Sequence, residues 1–246
     1  VKYQIQQYFS TSRFAMPFAV LMILLYSIYS SRPVGVVDSL MVSCVFLFLL
    51  MVWIGVTACD MEHEVSEQIL ILRVQSAWKY YSSHACFLFL IGMISSAIAI
   101  LFPVIMDLCS RGQLFERPLK AADLLYGFPL MSVSAFLGGA MGEISHPGLN
   151  RNRKTAILFT FLLAVTAVTK AAILKNVPVL AVLLWVVPPI SDVTAMFAGE
   201  SCFSVNKCST AFIILLISGM IWTAVKIMRS EEHTSELHHS VGSRMP

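Results

Sequence analysis

Glu62, His63 and Glu64 stand side by side in the first half of the chain, and zinc hydrolysis of the HExxH kind is the chemistry such a group brings to mind. That pattern needs a second histidine at helical spacing, and none is present, so the ligand set is incomplete. Glu143 and His146 are the next candidates, three residues apart at the end of an apolar run, where they read as a solvated helix end rather than an acid–base pair. Lys170 is a charge inside an apolar run, within about a turn of its end, so its stem can snorkel to the membrane interface. Asp192 follows Pro188-Pro189 and reads as the cap of a short helix. No phosphate-cradling glycine loop and no nucleophile with a paired base occur, so the sequence points to no catalytic residue, no metal site and no cofactor held by this chain.

The elements around these residues are those of an integral membrane protein. Of 246 residues 57% are hydrophobic and 13% charged, with mean hydropathy +0.78, which leaves no room for a large soluble domain. Apolar runs at 14–30, 36–58, 85–109, 124–144, 155–174 and 209–228 each approach the length of a helix that crosses about 30 Å of hydrocarbon. The expected fold is therefore all-α, with six transmembrane helices. Pro103 marks a kink or early stop near the end of the third. Ser132, Ser134, Ala135, Gly138, Gly139, Ala140 and Gly142 give the fourth span a slim face, suited to close helix packing or to a substrate path. Residues 177–190 are apolar but too short to cross and end at Pro188-Pro189, which suggests a re-entrant segment before the last helix. Residues 1–13 mix apolar Tyr3, Ile5, Tyr8 and Phe9 with Lys2, Gln4, Gln6 and Arg13, the pattern of an interfacial helix.

Orientation follows from the basic residues of the short loops. With the N-terminus in the cytoplasm, Lys2, Arg13, Arg73, Lys79, Arg151, Arg153, Lys154 and Lys226 lie inside, against Arg111, Arg117 and Lys120 outside. Both termini are then cytoplasmic. Cys59 and Cys86 fall at cytoplasmic helix ends and Cys44 in mid-span, while Cys109, Cys202 and Cys208 lie outside. Cys202 and Cys208 enclose a short loop and could form a disulfide if the outside is oxidising. The scattered net charge of +3 gives no surface for nucleic acid. The chain begins with Val, so its start is left open. Residues 229–237, RSEEHTSEL, resemble the translation of a sequencing-library adapter; 229–246 is read as a non-native tail, His233, His238 and His239 with it, and 1–228 as a single transmembrane domain.

Between the second and third spans lies the longest markedly polar interval of the first half, residues 60–84. Read as a helix, it aligns Met61, Val65, Ile69 and Leu72 on one stripe and Glu62, Ser66 and Arg73 on another face. Such a helix either docks a partner or lies on lipid headgroups. Three acidic residues near its start suit an anionic cytoplasmic leaflet poorly, which favours docking.

This arrangement resembles the permease subunits of type-2 ATP-binding-cassette exporters. The resemblance spans residues 1–228 and rests on six helices, an amphipathic lead-in, broken apolar pieces before the sixth span, and the run Glu62-x-Glu64-x-x-Glu67-Gln68-Ile69-Leu70-x-Leu72-Arg73, followed by Tyr80 and Tyr81. His84 stands about where the family often has a lysine, and the glycine-threonine before the third helix is absent. The resemblance implies a cytoplasmic coupling helix in which Glu62, Glu64, Glu67, Gln68, Ile69, Leu72 and Arg73 meet a separate ATPase, with Tyr80–His84 as the hinge into the third span. It further implies ATP and Mg on that partner, a second permease half, membrane lipids around the pair, and a bacterial plasma membrane as the location. The expected function is efflux of a peptide-, lipid- or drug-like substrate. A non-transporting anchor or assembly factor that holds a cytoplasmic partner through the same helix is the alternative.

Overall fold

The computed structural model describes residues 6, 8, 14–59, 77–145 and 153–242, and among them it is all-helical. In chain order the helices are α1 (Ala15–Ser30), α2 (Val36–Cys59), α3 (Ala77–Cys109), α4 (Ala121–Gly142), α5 (Arg153–Asn176), the single turn α6 (Ala181–Leu184), α7 (Ile190–Met196) and α8 (Val205–Gly242). A 3-10 turn, Glu143–Ser145, continues α4, and another, Pro178–Leu180, precedes α6. Five of the helices, α2 to α5 and α8, are long and apolar enough to cross a membrane. With 16 residues, α1 spans only about 24 Å at 1.5 Å per residue, short of the roughly 30 Å needed. The bundle thus has five candidate spans and one shorter apolar helix where the sequence led us to expect six spans.

Uninterrupted apolar runs explain where the helices lie, and punctuation explains where they end. After Cys109 the chain turns through Arg111 and Gly112, both with positive φ, while the Gly112 amide donates to the Asp107 carbonyl at 2.9 Å and the Arg111 amide to Leu108 at 3.3 Å. This is a Schellman closure of the last turn, and it satisfies carbonyls that a helix end would otherwise leave open. The following loop is stitched to the α1–α2 connection: the Val34 amide donates to the Leu114 carbonyl at 3.1 Å, and the Glu116 amide to the Val34 carbonyl at 3.2 Å. Pro103 does not end α3, which runs on through it to Cys109.

At the centre sits α4, in contact with α2, α3 and α8. Its small-residue face is used for packing. A Cβ added at Gly138 would lie 2.2 Å from the Phe48 carbonyl oxygen, and one at Gly142 would lie 2.4 Å from that of Val52. Gly55 of α2 returns the fit, since its Cβ would meet the Gly139 carbonyl at 2.7 Å. Ser134 donates its hydroxyl across the same interface to the Cys44 carbonyl at 2.8 Å, so α2 and α4 touch backbone to backbone. No width remains there for a substrate path.

Residues 177–190 form the Pro178–Leu180 turn and α6, with Val179, Val182 and Trp185 outside the protein core, before the chain enters α7. The helical backbone of α8 continues past 228 to Gly242, through much of the stretch read as a non-native tail.

Candidate functional site

A polar cluster forms at the end of the bundle where α2 stops and α3 begins. His84 lies at the start of the third turn of α3, Glu143 in the 3-10 turn just past α4, and Lys226 on α8. One Glu143 carboxylate oxygen pairs with His84 Nδ1 and the other with Lys226 Nζ, the latter at 3.0 Å. All three residues are buried: Glu143 is 1% exposed, Lys226 3% and His84 6%. Buried charge is costly unless it is paired and hydrogen-bonded, and here the pairing is bidentate on the carboxylate.

Three further contacts complete the cluster. Lys226 Nζ lies 5.6 Å from the centre of the Tyr81 ring, within cation–π range. Tyr81 sits three residues before His84 on the same helical face and packs edge-on against Tyr80 with centroids 5.1 Å apart. The Cys59 thiol points to the Glu143 carbonyl at 3.7 Å, so the end of α2 joins the ends of α3, α4 and α8.

Glu143 lies just outside the apolar span. Burial pushes its carboxyl up, but the adjacent Lys226 ammonium and His84 imidazole outweigh that and hold it down at about 2. An acid so strong stays ionised at neutral pH and is a poor general acid. The cluster is therefore suited to fixing helix ends relative to one another, with a minus charge at its centre, rather than to turning over a substrate.

The opposite end of the bundle is fixed by separate pairs. Arg117, which the charge count placed in the outer loop, makes a two-pronged contact with Asp123 of α4 at 2.7 and 2.8 Å and donates to the Ser201 carbonyl at 2.7 Å. Lys207 pairs with Glu200 at 2.5 Å. Lys170 does not snorkel to an interface: it is buried, and its ammonium meets the Asp192 carboxylate at 2.7 Å. Asp192 is thereby an ion-pair partner in the first turn of α7, whose N-cap is Pro189.

Glu62, Glu64, Glu67, Gln68, Ile69, Leu72 and Arg73 fall outside the described residues, as do His63 and His146. Tyr80–His84, expected as a hinge, lies inside α3, which begins at Ala77 and has no break there. Glu143 is not a solvated helix end but the most buried member of the cluster. Cys202 is exposed, Cys208 is buried in the first turn of α8, and both thiols are free. Among the described residues no three His, Cys, Asp or Glu side chains converge as a metal would require. Sequence reasoning missed the cluster because Glu143 lies 59 residues from His84 and its role depends on both partners. The available signal was ionisable residues at matching ends of three apolar runs.

No protein-family model, curated protein or solved structure matches this chain.

Proposed function

We propose that the chain is the membrane-spanning subunit of an ATP-driven exporter, and that segment 60–76 docks a separate cytoplasmic ATPase. The observation that carries this reading is the His84–Glu143–Lys226 cluster. It ties the helix that leaves the polar segment to the ends of α4 and α8, so a push on 60–76 reaches three spans at once. The chain has no nucleotide-binding loop, so the energy must arrive from outside it. Glu62, Glu64 and Glu67 would face basic residues on the ATPase, Ile69 and Leu72 an apolar groove, and Gln68 and Arg73 the rim of the contact. In this reading α1 completes six spans, residues 1–13 lie along the interface, and 177–190 re-enter the membrane. Both termini face the cytoplasm of a bacterial plasma membrane. A second permease half completes the unit, and ATP with Mg stays on the partner.

The closed α2–α4 interface favours a second reading, a non-transporting anchor for the same cytoplasmic partner, because one copy alone offers no path there. Charge reversal at Glu62, Glu64 and Glu67 separates the two when ATPase binding and ATP-driven efflux are measured together. Loss of both supports the exporter. Loss of binding from a protein whose parent moves no cargo leaves the anchor.

A further inference from the structure

We propose that residues 197–204, the strap joining α7 to α8, are a redox-sensitive latch: oxidation of Cys202 and Cys208 to a disulfide draws the strap off Arg117. The two thiols are close in sequence, both are free, and they differ in access. Cys202 is exposed on the strap, while Cys208 is 5% exposed in the first turn of α8, where the strap ends. In the proposed orientation this end faces away from the cytoplasm, on the side where thiol oxidants act.

The reduced strap is held by a contact that the disulfide would disturb. Arg117 donates from Nε to the Ser201 carbonyl at 2.7 Å. Cys202 is the next residue, and its thiol lies within electrostatic reach of the same guanidinium. A disulfide brings its two Cα atoms to about 4.4–6.8 Å. With one thiol at the surface and the other buried, bonding turns the strap inward onto α8, and the Ser201 carbonyl leaves Arg117 with it. Gly199 supplies a swivel, because its φ is +76° and nothing lies within 4 Å of a Cβ built there. Lys207 and Glu200 pair through solvent-accessible side chains that can follow the strap.

The step exchanges one disulfide for another. The Cys202 thiolate attacks an external disulfide oxidant, forming a mixed disulfide and releasing one thiol. Cys208 then attacks Cys202 Sγ and displaces the second. The two protein thiols lose two electrons and two protons, and the oxidant disulfide is reduced to two thiols. The latch goes beyond the exporter reading, because it requires neither an ATPase nor cargo.

The test equilibrates the full chain in phosphatidylcholine nanodiscs against glutathione buffers of graded poise, traps free thiols by alkylation and maps peptides without reduction. Trypsin cuts after Lys207, between the two cysteines, so their bond appears as a pair of linked peptides. A Cys202–Cys208 bond that saturates with oxidant is expected, and Cys202→Ser should yield no such pair. Arg117→Lys keeps the charge that faces Asp123 but has no Nε donor for Ser201. It should therefore raise the equilibrium constant for oxidation by about 2- to 10-fold, since the tie that opposes bonding is gone. Thermal melts report folding, and Arg117→Gln, which also lacks Nε, replaces Arg117→Lys should that variant not fold. Absence of the Cys202–Cys208 bond at every poise, pairing of Cys202 with Cys109 instead, or oxidation of the Arg117 variant at the parent's poise overturns the proposal.

Discussion

Lys226 of α8 and Glu143 at the end of α4 lie 3.0 Å apart, with both side chains almost wholly removed from solvent. A buried pair of this kind adds little net stability when formed, yet removing one partner leaves an uncompensated charge that costs about 3–5 kcal/mol. Lys226→Met and Glu143→Gln should therefore each lower the melting temperature sharply in detergent micelles. The Glu143→Gln, Lys226→Met double variant should recover part of that loss, since no lone charge of the pair remains. Strictly additive losses would mean that the two side chains do not act as a pair.

The helices were legible because their signal is local and long. The apolar run at 36–58 predicts a span that the structure places at Val36–Cys59, and 155–174 lies wholly inside Arg153–Asn176. The ion cluster was not legible, because each member alone has an ordinary explanation: a helix-end acid, a topology lysine, a hinge histidine. Only packing of α3 and α8 on α4 brings them together. Lys170 misled for a related reason. Its depth was visible, but its partner Asp192 follows a proline pair that reads as a break.

The glycines of α4 differ in what surrounds them. At Gly138 a Cβ would strike the Phe48 carbonyl oxygen at 2.2 Å, and backbone cannot step aside. At Gly139 the nearest atoms are the side chains of Leu88 and Met51, both at 3.4 Å, and the methionine can shift. Gly138→Ala should therefore cost about 1–3 kcal/mol as overpacking, and Gly139→Ala less than about 1 kcal/mol. Melting curves of the two purified variants check this directly. Equal losses would mean that the α2–α4 contact is looser than its backbone approach implies.

Arg117 ties the α3–α4 and α7–α8 loops together through geometry as well as charge. Its guanidinium makes a fork on Asp123 and reaches the Ser201 carbonyl in the α7–α8 connection. A lysine keeps the charge but cannot make all three contacts. The Asp123 side chain is only 4% exposed, so losing a prong of the fork in Arg117→Lys should cost about 0.5–1.5 kcal/mol, while amides around Ser201 exchange faster with deuterium. Unchanged exchange there would show that the carbonyl contact does not restrain the loop.

Lys170 and Asp192 form a pair whose halves are unequally exposed, and that inequality predicts unequal mutants. The lysine side chain is 9% exposed and the aspartate 36%. Removing the aspartate charge strands a buried ammonium, whereas removing the lysine leaves an acid that water can still reach. Asp192→Asn should thus destabilise by roughly 2–4 kcal/mol, and Lys170→Met by about 1 kcal/mol or less, because the methionine keeps most of the stem's packing. A snorkelling Lys170 would make no such distinction: Asp192→Asn would then melt with the parent. Thermal unfolding of the two single variants in the same detergent, with the Asp192→Asn, Lys170→Met double as the third point, reads the asymmetry. The double should melt above Asp192→Asn alone, since it no longer carries the stranded charge.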